Sequence, residues 1–93
     1  MRGSAARYVD FPNQFKKDLK LAEKRRCNMD EINEIIAKII FEEPLPERCR
    51  PHNLSGNWSN FTECHVLNDW VLIYRCTDGG VVFARAGTHS DLL

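Results

Sequence analysis

The three histidines of this 93-residue chain, His52, His65 and His89, all fall in its last 42 residues and come from three separate stretches. Histidine both gives and takes protons near neutral pH. Asp69 and Arg85 lie in the same half of the chain. A set of His, Asp and Arg suits cleavage of an RNA phosphodiester by the strand's own 2′-hydroxyl. That reaction needs a base for the hydroxyl proton, an acid for the departing 5′-oxygen, and a cation for charge developing on the phosphate. It requires no metal and no organic cofactor. Each residue has a quieter reading too: histidines as hydrogen-bonded structural residues, Asp69 as a turn former, Arg85 as an exposed strand residue.

Other chemistries have weaker support. Three histidines plus Asp69 are the raw material of a zinc site, but no HxH or HxxxH spacing is present, so ligands would have to converge from separate elements. Cys27, Cys49, Cys64 and Cys76 form no CxxC pair, which leaves free, partly buried thiols as the expectation. Neither GxxxxGK[ST] nor GxGxxG occurs, and Ser4, Ser55, Ser59 and Ser90 lie outside any nucleophile-elbow context. Among the aromatics, Trp58, Phe61, Trp70, Tyr74 and Phe83 read mainly as core, with one or two available to stack on a base.

The elements that must bring the imidazoles together follow from periodicity. Phe15, Leu19, Ala22 and Arg26 recur at helical spacing after Pro12, with Asn13 as N-cap. Asn28 and Glu31 resemble a capping box, and Ile32, Ile35, Ile36, Ile39 and Ile40 form an apolar stripe ended by Glu42-Glu43-Pro44-Leu45-Pro46. Residues 44–60 read as a polar, proline-containing connection. Phe61 to Leu67, Trp70 to Cys76 and Val81 to Arg85 are rich in aromatic and β-branched residues. Asn68-Asp69 and Asp78-Gly79-Gly80 supply the turns of an antiparallel meander, and Tyr8-Val9-Asp10 is a candidate extra strand. The expectation is a single α+β domain over 1–93, β-α-α-β-β-β. Two N-terminal helices pack on one face of a small, mainly antiparallel sheet, and the opposite face is free to hold a site.

Thirteen basic residues balance thirteen acidic ones, which excludes a uniformly basic nucleic-acid coat. The distribution is uneven. Lys16, Lys17, Lys20, Lys24, Arg25 and Arg26 cluster in residues 16–26, and acidic residues dominate 27–47, so a neutral chain can present a positive face. Hydrophobic residues at 43% exclude a disordered tail. No apolar run is long enough to span a membrane, and no signal-peptide stretch precedes Phe11, so the expected compartment is the cytoplasm. Residues 1–6, with Met1-Arg2-Gly3-Ser4, read as a leader.

Three segments together resemble one family. They are Arg50-Pro51-His52-Asn53-Leu54-Ser55-Gly56-Asn57-Trp58, Glu63-Cys64-His65 through Asp69-Trp70-Val71-Leu72-Ile73-Tyr74, and Arg85-Ala86-Gly87-Thr88-His89-Ser90. In this order they are similar to YafQ-type toxins of the RelE/ParE superfamily, from bacterial type II toxin–antitoxin systems. The resemblance covers about Tyr8 to the C-terminus. It implies a RelE-like fold and an endoribonuclease that cuts mRNA codons in the ribosomal A site and is silenced by a cognate antitoxin. It implies acid–base roles for His52, His65, Asp69 and His89. His52 or His65 would be the base, His89 an acid, and Asp69 the residue that orients a histidine. Arg85 would hold the scissile phosphate and Trp70 would stand beside the site. The basic helix Lys16 to Arg26 would meet ribosomal RNA phosphates. Two features depart from the pattern: Leu93 stands where the family often has a base-stacking aromatic, and the net charge is zero where relatives are usually basic. Another reading is a ParE-like toxin that blocks a protein target such as gyrase; a third is an RNA- or partner-binding domain without activity.

Overall fold

Asn28 fixes the start of the second helix. Its side-chain oxygen accepts the Glu31 N–H at 3.2 Å, and its amide nitrogen reaches the Glu31 carboxylate at 3.4 Å, so donors that the first turn leaves open are met. This helix, α2, runs Met29–Ile40 and buries Ile32, Ile35, Ile36 and Ile39. The first, α1, runs Asn13–Lys24, with Phe15, Asp18 and Ala22 buried. Asn13 is therefore the first helical residue and not the cap. Pro12, extended at ψ 157°, holds the cap position, and no side chain bonds there. These elements come from a computed structural model that describes residues 8–92; the leader expected over 1–6 lies outside the described residues, as does Leu93.

Five strands form one sheet: β1 (Tyr8–Asp10), β2 (His52–Asn53), β3 (Thr62–His65), β4 (Trp70–Thr77) and β5 (Gly80–Thr88). Their order is β1-β5-β4-β3-β2. β1 is parallel to β5, and the other pairs are antiparallel. The α+β expectation therefore holds. Three details differ. β2 lies inside the stretch expected as connection. Strand β3 stops at His65, because the N–H groups of Val66 and Leu67 both turn to the Trp70 carbonyl, at 2.9 and 3.3 Å. Strand β5 continues past Arg85 to Thr88 and leads into a short helix, α3 (His89–Leu92), where only a tail was expected.

The pairing register divides the sheet into two faces. Cys64, Leu72 and Ala86 stand opposite one another, and with Trp70, Tyr74 and Phe83 they join the isoleucine stripe and Phe15 in the core. On Phe15, the Phe83 ring lies 5.4 Å away, centroid to centroid. Alternate residues face away from the helices: His52–Glu63–Ile73–Arg85 form one cross-strand row and His65–Val71–Gly87 the next. The four cysteines are free thiols. Burial pushes Cys64 up to about 12 and also raises Cys49, so both are inert packing residues.

One buried carboxylate joins α1 to the sheet. Asp18 Oδ2 accepts from Arg85 Nε at 2.8 Å and from the Ala86 backbone N–H at 2.9 Å, while Oδ1 accepts from Arg85 Nη2 at 3.2 Å. Strand β1 pairs only with residues 80–82 of β5, so the Ala86 N–H would otherwise be open. Asp18→Ala leaves that donor and a half-buried guanidinium without a partner, and we expect a stability loss of about 3 kcal/mol. Urea denaturation checks it; a loss under about 1 kcal/mol would reduce the pair to a surface contact.

Candidate active site

Glu63 is the centre of the site. It projects from β3 and is 1% exposed, and a lone buried carboxylate is costly unless cations or donors meet it. Two histidines do so. His52 Nε2, from β2, lies 3.2 Å from Oε1, and His89 Nε2, from the first residue of α3, lies 2.9 Å from Oε2. The approach of His89 is close but not aligned, and Oε2 is left without a hydrogen bond. An unsatisfied buried oxygen between two titratable rings is the kind of exception that marks function more often than structure. His65, two residues along β3 on the same face, completes the group: its ring centroid is 5.6 Å from that of His89.

The three imidazoles thus meet on the sheet face away from the main helices, and each is held differently. His52 Nδ1 lies 3.0 Å from the Arg50 carbonyl oxygen. A carbonyl only accepts, so the proton is on Nδ1, and Nε2 is directed at Glu63. Both nitrogens of His52 are therefore committed within the protein. His89 commits Nε2 to Glu63. Among the described residues, no hydrogen bond or ion pair engages His65. α3 sets the position of His89: Leu92 packs on Gly87, where an added Cβ would lie 3.2 Å from Leu92 Cδ2. Arg25 Nη1 holds Asp91 Oδ2 at 3.2 Å, and Asp91 N–H donates to Thr88 Oγ1 at 3.1 Å. Hydrogen bonding to Thr88 first, and then to Arg25, holds the Asp91 carboxyl below its ordinary range.

A profile described as a bacterial toxin of type II toxin–antitoxin systems, YafQ, matches residues 7–93. The chain belongs to the YafQ toxin family. It is 38% identical over 87 residues to the mRNA interferase toxin YafQ of Escherichia coli K12, covering 92% of this chain and 95% of that protein. The crystal structure of YafQ from E. coli BL21(DE3) superposes with a TM-score of 0.89 at 36% identity, covering 94% of this chain and 98% of that one. YafQ within the E. coli DinJ–YafQ toxin–antitoxin complex gives a TM-score of 0.87 at 37% identity, over 95% and 98%.

The residues that the YafQ pattern singles out sit in unlike surroundings. Asp69 is exposed in the β3–β4 turn, and among the described residues it makes no hydrogen bond or ion pair with a histidine. Glu63 is the carboxylate that touches His52 and His89. On sequence a single Glu in a strand reads as a solvent-facing residue; the signal for Glu63 is its spacing of two from His65, which puts both on one face. Trp70 is not a stacking surface: it is 6% exposed and belongs to the helix-side core, with the Arg25 guanidinium carbon 5.9 Å from its ring centroid. Arg85 is not a free cation. Asp18 grips it, and those hydrogen bonds raise its already high value, so it is charged but locally neutralised. Leu93 lies outside the described residues. Lys16, Lys17, Lys20, Lys24, Arg25 and Arg26 are all exposed. Because Asp18 turns inward, the outer surface of α1 is more positive than its sequence sum. No cluster of three or more His, Cys, Asp or Glu suited to a metal occurs among the described residues, nor is any helix there long and apolar enough to cross a membrane.

Proposed function

We propose that this chain is an endoribonuclease toxin that cuts mRNA codons in the ribosomal A site and is neutralised by a cognate antitoxin. The observation that carries the reading is the group His52–Glu63–His89 with His65 beside it, on a surface open to a strand. The mRNA interferase name of its E. coli relative and the DinJ–YafQ complex support it.

The uncommitted ring suits the base. His65 takes the proton of the 2′-hydroxyl, whose oxygen attacks the adjacent phosphorus. The P–O5′ bond breaks, and the protonated ring of His89, its charge supported by Glu63, gives a proton to the leaving 5′-oxygen. The products are a 2′,3′-cyclic phosphate and a 5′-hydroxyl. A spacing of 5.6 Å between these ring centroids lets one phosphodiester touch both. His52, held at both nitrogens, supports Glu63 and shares its charge. Asp69, exposed in the β3–β4 turn, contacts the substrate strand and does not orient a histidine. Arg85 offers its remaining N–H groups to the phosphate from the position Asp18 gives it, and the lysines of α1 with Arg26 meet ribosomal RNA.

The test is cleavage of an mRNA on purified ribosomes, with ends mapped by primer extension and end groups identified. Cuts inside the A-site codon with cyclic phosphate ends are expected. Intact messages, together with DNA-damage signs on induction in cells, would instead favour a toxin that blocks a protein such as gyrase.

A further inference from the structure

Two cavities meet at one arginine. One, of about 500 Å³, is lined by Glu31, Arg48, Arg50, His65, Leu67 and Asn68. The other, of about 510 Å³, is lined by Arg50, Pro51, His52 and His65. Arg50 and His65 border both, so together the hollows make a groove that passes the base of the proposed reaction. The cations around this face are not equivalent. Arg48 Nη1 donates to the Val66 carbonyl at 2.8 Å and its Nη2 faces Glu31 at 3.8 Å. Arg85 is held by Asp18 and Arg25 by Asp91. The Arg50 guanidinium makes no hydrogen bond or ion pair among the described residues.

The backbone of Arg50 is also unusual. It is left-handed, at φ 45° and ψ 57°, a conformation that non-glycine residues adopt at a cost of about 1 kcal/mol. In that conformation its carbonyl oxygen receives His52 Nδ1 while its side chain stays on the groove. One residue therefore orients the ring of a site histidine and offers a planar cation next to another. A bare guanidinium in a groove lined by imidazoles fits an anion with several oxygens, and phosphodiester oxygens match its fork.

We propose that Arg50 is a second strand-binding cation of this site, gripping an RNA phosphate where the two cavities join, and that the substrate runs along this groove past His65. The proposal rests on the nuclease reading for the identity of the strand, but its test does not need cleavage. Arg50→Asn removes the charge and suits the left-handed backbone, and Arg50→Lys keeps a charge without the fork. The probe is a short RNA with a 2′-deoxy substitution at the cut position, bound in fluorescence anisotropy to the free toxin and to toxin on programmed ribosomes. Arg50→Asn should weaken binding about 10- to 100-fold and reduce the salt slope by about 0.7, with Arg50→Lys recovering part of the affinity. A methylphosphonate scan should find one phosphate whose neutralisation weakens the wild type and no longer affects Arg50→Asn. Unchanged affinity and slope in a folded Arg50→Asn protein overturn the proposal, as does a wild type that binds the probe in neither setting. If the wild type binds but cuts nothing on the ribosome, the nuclease reading fails while the Arg50 contact is still decided by the binding data.

Discussion

His65→Ala and His89→Ala should each lower single-turnover cleavage of ribosome-bound mRNA by about 10²-fold or more. The two losses have different origins. Among the described residues no hydrogen bond or ion pair engages the His65 nitrogens, so its removal takes away the group that receives the 2′-hydroxyl proton. His89 stands 2.9 Å from Glu63, so its removal takes away a proton donor and also strands a buried carboxylate. The side chain of His89 is half exposed, at 50%, and water entering the gap can solvate that carboxylate, so the protein should stay folded. Near-normal cleavage by both variants would remove the assigned base and acid. A large loss for His89→Ala alone would move the base role to His52 or Asp69. Because the two rings act in one step, the double variant should be little worse than the poorer single one.

Glu63→Gln is the sharper test of the network. The substitution keeps volume and removes the charge shared by His52 and His89, and it places an amide N–H₂ among rings that need an acceptor. Cleavage should fall by about 10²-fold or more, the scale of losing an acid or base. Stability should move little, by about 1 kcal/mol or less, because uncharging a buried carboxylate relieves desolvation as it removes the ion pairs. Measuring cleavage and urea denaturation on the same preparation separates the roles: a purely structural Glu63 would lower both together. Glu63→Gln combined with His89→Ala should be far from additive, since the two groups act through one contact. Full additivity would mean that the 2.9 Å approach has no functional weight.

These expectations all turn on how α3 is tied down. Arg25 links the end of the basic helix to Asp91, and Leu92 covers Gly87, so the segment that carries His89 is fastened to both α1 and β5. The surface proposed to meet ribosomal RNA therefore adjoins the segment that carries the proposed acid. Asp91 is held below the ordinary carboxylate range by Thr88 and then Arg25. Its contribution is present above that ordinary range and is lost as pH falls through the lowered folded value, so the fastening should loosen only in acid.

Local information fixed most of the frame. Spacing of isoleucines marks α2, Asn28 with Glu31 marks its start, and Asp78-Gly79 with Gly79 at φ 76° closes the β4–β5 hairpin, because caps, stripes and turns are decided by neighbours in sequence. The three histidines were legible as chemistry, since few other side chains titrate near neutrality. Their partners were not. Glu63 becomes the hub only when β2 pairs beside it and α3 returns over the sheet, bringing in residues 11 positions before and 26 after it. Arg85 loses its freedom only because Asp18, which on sequence reads as one more solvated charge of α1, points inward at an open strand edge. Which charges neutralise each other, and which stay available to a substrate, depends on distances between segments far apart in the chain; no local pattern encodes those distances, and packing sets them.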